Sequence, residues 1–240
     1  GILMAVIKDT SLSSKIVTIV VHLILVFLLV ATLFPVLHVA SISLSSSSAI
    51  NKGNISIFPR DFSLQAYKNV LTSGKVPNRF KNSIIITLLV TAINMFFTTT
   101  MAYALSKNRL PFRGLFMVIV MITMYVSGGL IPTFLLVKSL GMYNTFWALT
   151  VPVAISPFYL IVMRTFFQNI PNELEESAFL DGANDITILI KIILPIAKPA
   201  IATITLFYIV QHWNSFFTAI IYLKDASLYP LQLILREIVI

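Results

Sequence analysis

The chain contains no cysteine. A disulfide framework, a thiolate zinc site and a cysteine nucleophile are therefore excluded. Charge is scarce: Asp, Glu, Lys and Arg together make up 11% of the 240 residues, against about 25% in an ordinary soluble domain. Acid is the rarer sign, with 9 Asp+Glu against 17 Lys+Arg and a net charge of +8. A basic balance of that size fits nucleic acid or a membrane, but the cations are spread between apolar runs instead of sharing one face, so nucleic acid is set aside. No carboxylate falls between residues 16 and 60 or between 82 and 172. An ion-coupled secondary transporter would want buried carboxylates in its spans, which makes that class a remote alternative. The eight glycines are scattered, and none belongs to a GxxxxGK[ST] phosphate loop. Energy for any pumping must come from another chain.

What is abundant is apolar surface. Hydrophobic residues make up 58% of the chain, and mean hydropathy is +0.92. Disorder, coiled coil and collagen are excluded, and an all-α membrane protein is expected. A crossing helix needs about 20 mostly apolar residues. Five stretches qualify: Ile16 to Val39, Ser83 to Leu105, one starting near Leu115, Thr145 to Phe167, and Ile196 to Ile221. The third is interrupted by Gly128, Gly129 and Pro132, and its tail, Thr133 to Leu140, suits the interface. Pro152 and Pro157 lie inside the fourth, and Pro199 near the start of the fifth. Backbone groups in lipid need internal partners, so carbonyls freed by these prolines should face protein or a cavity. His22 and His38 in the first span lack metal-ligand spacing, and His38 is expected in a hydrogen-bonded structural role. Arg164 and Lys198, near span ends, are expected to snorkel to headgroups.

Short basic loops lie in the cytoplasm. Lys107, Arg109 and Arg113 place the 107–113 turn inside. Alternation then puts the N-terminus and the 168–195 loop inside, and residues 40–82, with the serine run Ser41 to Ser48, outside. That outer loop carries Lys52, Arg60, Lys68, Lys75, Arg79 and Lys81, which suit solvent, an acidic substrate or an acidic protein face. The chain reads as a single transmembrane domain, 1–240.

The 168–195 loop holds most of the acid: Glu173, Glu175, Glu176, Asp181 and Asp185, with one Lys191. Asn172 is expected as an N-cap with Glu175 three residues on, as in a capping box, and the acids oppose the positive end of the helix dipole. A helix is predicted over 173–181. Gly182 closes it in the left-handed conformation, and a second helix starts near Asn184 or Asp185 and reaches Leu194-Pro195. An amphipathic helix resting on lipid would carry cations towards anionic headgroups. Acid instead favours a basic protein partner.

Glu176-Ser177-Ala178, three residues, Gly182, nine residues, Ile192, one residue and Leu194-Pro195 resemble the EAA loop of ABC-importer permeases, EAA-x3-G-x9-I-x-LP. Ser177 for the first alanine is the one departure. Asp181-Gly182-Ala183, Gln211 to Phe217, Tyr229-Pro230-Leu231-Gln232 and the first loop are similar to the carbohydrate-uptake branch, its multiple-sugar and oligosaccharide type. The resemblance implies a polytopic helical permease of six core helices: five are visible, and a sixth is expected beyond residue 240. It implies a bacterial inner-membrane subunit without bond chemistry of its own, with no cofactor in this chain. ATP and Mg would be bound by two cytoplasmic ATPase subunits. A second homologous permease and an extracytoplasmic solute-binding protein would complete the assembly. Glu176 would pair with a basic residue of the ATPase, Ala178 and Gly182 would allow close approach, and Ser177, Ile192, Leu194 and Pro195 complete the coupling set. The cargo implied is a sugar, with an acidic oligosaccharide such as an alginate fragment within range, and an amino acid or peptide as the alternative.

Gln211, Trp213, Asn214 and Ser215, beside His212, place amides, a hydroxyl and an indole midway along the fifth span. A sugar path commonly combines an aromatic platform with such groups. Helix–helix hydrogen bonding uses the same residue types, and both readings stand. Tyr125 of the third span is a further lining candidate.

Overall fold

The computed structural model describes residues 12–53 and 55–239. The N-terminal stretch that the charge reading places in the cytoplasm begins outside the described residues, as does any span beyond residue 240. Two compact units divide at Gly74 and Lys75.

In the first unit, α1 (Leu12–Ser43) is a 32-residue helix with Pro35 inside it. It is apolar on every side from Ile16 to Val39, as suits lipid or another chain. The serine run does not open a loop at once, because α1 runs on through Ser43. Its hydroxyls then fasten the chain that follows. Ser41 Oγ donates to the Ile57 carbonyl, Ser45 Oγ accepts from Arg60 N at 3.1 Å, and Ser46 Oγ accepts from Ala49 N to cap α2 (Ser47–Asn51). His38 Nδ1 reaches the Ser56 carbonyl at 2.8 Å, the structural role expected of it. A short helix α3 (Gln65–Thr72) completes the unit.

The second unit is built around α4 (Lys75–Ser106). This helix begins eight residues before the expected start at Ser83, so the first polar loop is shorter than the predicted 40–82. Pro77 sits in the first turn, where a missing N–H costs nothing. Against α4 pack α8 (Pro157–Gln168), α12 (Lys198–Trp213), α5 (Arg113–Tyr125), α7 (Trp147–Thr150) and α14 (Leu231–Val239). The third span is broken as expected: α5 and α6 (Leu130–Ser139) meet at 114°, with Gly129 at φ +84° between them. The fourth runs from α7 through a 3-10 turn, Val151–Val153, and bends 53° into α8. The acidic loop folds as α9 (Asn172–Leu180), α10 (Asp185–Ile188), a π turn at Leu189–Ile193 and α11 (Leu194–Ile196). An 83° bend leads into α12. The fifth span is not continuous, since Asn214 to Phe216 separate α12 from α13 (Phe217–Tyr222). There Asn214 turns its Nδ2 back on the Val210 carbonyl at 2.8 Å and ends the helix. Among the described residues two helices qualify as crossings by length and composition, and up to five do when each bent pair is one span.

The break in the fourth span shows what holds the unit together. Pro157 has no N–H, so the carbonyl of Val153, four residues earlier, has no helical donor. Asn94 of α4 supplies one, its Nδ2 lying 2.8 Å from that oxygen. Ser156 N donates to the Tyr208 hydroxyl at 3.2 Å, and that hydroxyl also bonds Thr98 Oγ1 at 2.9 Å. Asn94 and Thr98 belong to a buried polar stripe on α4, Ser83, Thr87, Thr91, Asn94 and Thr98, spaced three or four residues apart and so on one helix face. Elsewhere on that stripe, Ser83 Oγ donates to Gln232 Oε1 and accepts from Leu231 N, both at 2.8 Å.

Replacing Asn94 with Ala leaves the Val153 carbonyl buried and unpaired, and Tyr208→Phe removes two bonds at the same break. Each is expected to lower unfolding free energy by about 1–3 kcal/mol, measured by denaturant titration of the purified chain in detergent micelles. Thr98→Val, which spares the bond to Ser156, is expected to lose less than Tyr208→Phe.

Candidate functional site

The acidic loop forms a helix–turn–helix hook. Asn172 is not its N-cap: the helix already includes Asn172, Pro171 holds the cap position, and no side chain caps the turn. Proline fixes φ at −55° there and starts the helix by its own rigidity, while Glu173 and Glu175 face the positive dipole end in the first turn. Gly182 has φ +81°, as the sequence requires. Gly182 N donates to Phe179 O at 3.0 Å and Ala183 N to Ala178 O at 2.9 Å, the paired bonds of a Schellman stop. Asn184 Oδ1 then accepts from Thr187 N at 2.8 Å and caps the second leg.

The hook is fastened to the end of α4. Lys107 pairs with Glu175, with side-chain exposures of only 14% and 10%, and Arg109 pairs with Asp185 in the open. The Lys107 ammonium also lies 4.2 Å from the Tyr103 ring centre, and the Arg109 guanidinium 4.4 Å from that of Phe179. Burial pushes the Lys107 amine below the usual lysine value, against the upward pull of Glu175. Beneath these pairs, Ala178, Ile188 and Ile193 pack with Leu105 and Phe167 in one apolar cluster. Arg164 does not simply snorkel: its Nε donates to the Leu105 carbonyl at 2.9 Å, satisfying the last turn of α4.

Two of the five loop acids are thus used inside the chain. Glu173, Glu176 and Asp181 remain exposed, together with Ser177, Gly182 and Pro195. Ser177 Oγ donates back to the Glu173 carbonyl at 2.7 Å, so a hydroxyl stands where the resembled EAA loop has alanine without disturbing the helix. Leu180, beside the turn, is 90% exposed. Ile192 and Leu194 are half-buried. Ala178 lies in the apolar core, so its small side chain serves packing within the chain and not close approach of a partner.

The polar residues of the fifth span separate. Gln211, His212 and Ser215 line a cavity of about 120 Å³ with Ser83, Thr87 and Gln232. The remaining wall includes apolar Ile86, Val90, Leu149 and Pro230. His212 Nε2 is buried there without a hydrogen-bond partner, and its ring stacks on Tyr208 at 6.0 Å. Trp213 instead meets Phe80 edge-on at 5.9 Å, Asn214 is engaged with its own helix, and Tyr125 ends α5 with 82% of its surface exposed. None of these three lines the cavity. The α4 contribution, Ser83 and Thr87, was missed from sequence, although its helical spacing in an apolar segment was the signal. Among the described residues no three His, Asp or Glu side chains gather as a metal site.

The model of the binding-protein-dependent transport system inner membrane component family matches residues 85–236. The polygalacturonan/rhamnogalacturonan transport system permease protein YtcP of Bacillus subtilis (strain 168) is 45% identical over 216 residues, covering 90% of this chain and 75% of that protein. Protein LplC of the same organism is 44% identical over 209 residues, covering 87% and 71%. The crystal structure of a bacterial ABC transporter involved in the import of the acidic polysaccharide alginate superposes with a TM-score of 0.92 at 35% identity, covering 95% of this chain and 81% of the matched one. With its broken spans, its acidic hook and these likenesses, the chain belongs to the binding-protein-dependent transport system inner membrane component family.

Proposed function

We propose that the chain is one transmembrane subunit of an ATP-driven importer for an acidic oligosaccharide. It works as a single permease domain with a second homologous permease, two cytoplasmic ATPase subunits and a solute-binding protein that delivers the sugar. The observation that carries the coupling half of this reading is the division between adjacent carboxylates: Glu175 is spent on Lys107, while Glu176 stands free on the same helix. Glu176, with Glu173 and Asp181, suits a basic groove, and exposed Leu180 at the turn suits an apolar pocket within it. Ser177 and Gly182 leave that face low, and Ile192, Leu194 and Pro195 carry its second leg into the membrane. ATP and Mg belong to the partners. The basic 107–113 turn shares a side with the hook, which supports a cytoplasmic placement for both and for the N-terminus.

The cargo rests on the substrates named for the relatives, polygalacturonan/rhamnogalacturonan and the acidic polysaccharide alginate. The basic residues between Lys52 and Lys81 support an acidic cargo or an acidic binding-protein face. Within the spans, the cavity beside Gln211, His212 and Ser215 has hydroxyl, amide and imidazole groups opposite an apolar wall, which matches the amphipathic character of a pyranose ring. Trp213, Asn214 and Tyr125 would take part only if the path extends past this cavity.

Replacing Glu176 with Ala, or Gly182 with Leu, is expected to abolish sugar-stimulated ATP hydrolysis in the assembled importer. The Gly182 variant also forces a branched side chain into a left-handed position that costs about 1–2 kcal/mol. Full stimulation in both variants would remove the docking role. For the cargo, calorimetric titration of the cognate solute-binding protein should show binding of galacturonate or mannuronate oligosaccharides in preference to neutral ones. Binding of amino acids or peptides alone would overturn the sugar assignment. Gln211→Ala is expected to raise the KM for uptake without altering copurification of the ATPase.

A further inference from the structure

A docked hook can move a transporter only if its displacement reaches the helices around the substrate path, and the chain offers two kinds of connection. The covalent ones are bent joints, with Ile170 and Ala197 buried in the apolar cluster. The chain enters the hook through Asn169 to Pro171 and leaves it at Ala197, where the helix axis turns by 83°. The other connection is to α4, through the apolar cluster of Ala178, Ile188 and Ile193 with Leu105 and through two ion pairs. Lys107 and Arg109 stand just past its last residue, Ser106, and each holds a different leg: Lys107 takes Glu175 on α9, and Arg109 takes Asp185 at the start of α10. Two attachments on two legs resist rotation as well as translation. The rings of Tyr103, on α4 itself, and Phe179, on α9, flank the two cations. Further along the same helix lie Thr98 and Asn94, which hold the break in the fourth span, and then Thr87 and Ser83, which line the cavity.

We infer that Lys107 and Arg109 are positioning residues of the transport cycle: they lock both legs of the hook to α4, so that movement of the hook becomes movement of the helix that carries the cavity wall. The inference rests on the proposed docking of the hook to an ATPase. It assigns to Glu175 a task opposite to that of its neighbour Glu176, since Glu175 holds inward and never meets the partner. The Lys107 pair is shielded and supplies most of the grip. The Arg109 pair is open to water and screened, so it mainly sets the angle of the second leg.

Because the chain has no native cysteine, the lock can be opened and closed in one preparation. Lys107→Cys and Glu175→Cys are introduced together, the importer is assembled with cysteine-free partner subunits in proteoliposomes, and uptake of a radiolabelled galacturonate oligosaccharide is measured per ATP hydrolysed. Without a linker, the ratio is expected to fall about tenfold from that of the parent. Joining the two thiols with a short bis-methanethiosulfonate should bring it back to within about twofold, and reductant should lower it again. An unlinked variant with the parental ratio, or a linked one that stays low, overturns the inference. Arg109→Gln, a milder change at an exposed pair, is expected to lower the ratio about two- to fivefold, and an unchanged ratio removes Arg109 from the lock. Failure of the docking reading looks different: the ATPase subunits then do not copurify with the parent chain at all.

Discussion

Inside a bilayer no water can satisfy an N–H or C=O, so each interruption of a helix must be repaired by a group brought from elsewhere in the protein. Among the described residues, three of up to five spans are interrupted or bent, and the repairs set the architecture. Pro157 frees the Val153 carbonyl, and Asn94 must lie where its amide can reach it. The neighbouring Ser156 N–H finds a hydroxyl on Tyr208, which Thr98 holds in turn. These bonds fix the relative height of α4, α8 and α12. Apolar packing alone would not, because lipid tails compete equally for apolar side chains.

The same helix that makes the repairs also ends in the cations that hold the acidic hook. Its last carbonyls are tended by Arg164 from α8. Lys107 then lies low against the Tyr103 ring, where burial lowers its pKa and Glu175 beside it opposes the shift. Burying a lone carboxylate or ammonium costs far more than burying the hydrogen-bonded pair. That asymmetry makes the position of the hook specific: a hook displaced by one turn would bring Asn172 or Ala178 towards Lys107 in place of Glu175 and leave both ions unpaired. Specificity, more than net stability, is what such a pair supplies.

Much of this was legible in the sequence because it is written in strong local chemistry. The apolar runs, the Gly128-Gly129 break, the left-handed stop at Gly182 and the second leg starting at Asn184 depend on neighbouring residues, and the structure has each of them. The first leg was read one position out. Asn172 looks like a cap, but Pro171 already supplies the rigid φ that starts a helix. Less visible were relations across the fold. Nothing local distinguishes Glu175 from Glu176, and only the approach of Lys107, 68 residues earlier in sequence, turns one inward. Ala178 looked free for the same reason until its surroundings filled with Ile188 and Ile193. The fifth span reads as one helix by hydropathy, and its end at Trp213 follows from Asn214 bonding its own carbonyls. The stripe Ser83, Thr87, Thr91, Asn94, Thr98 carried a helical period, hidden because small hydroxyl residues barely lower hydropathy.

A helix with that stripe has a constrained freedom of movement. Sliding α4 along its axis by a fraction of a turn would strip Asn94 from the Val153 carbonyl and Thr98 from the Tyr208 hydroxyl at once, leaving polar groups unpaired in the interior, where each costs about 1–3 kcal/mol. Carrying α4, the fourth-span break and Tyr208 together as one body strips nothing. The low-cost motions are therefore rigid ones in which α4, α8 and α12 move as a group, with the deformation taken up at bends that lack such repairs. Gly129 is the clearest of these: it adopts φ +84° and has only the edge of Pro132 near the place of its missing side chain. The break between α5 and α6 thus has room to flex, whereas the break between α7 and α8 is held by two hydrogen bonds, from Asn94 and to Tyr208, and travels with the core. Two interruptions that look alike in the sequence, each marked by a proline within an apolar run, therefore have opposite mechanical characters, and the difference lies in whether α4 and α12 offer them polar partners.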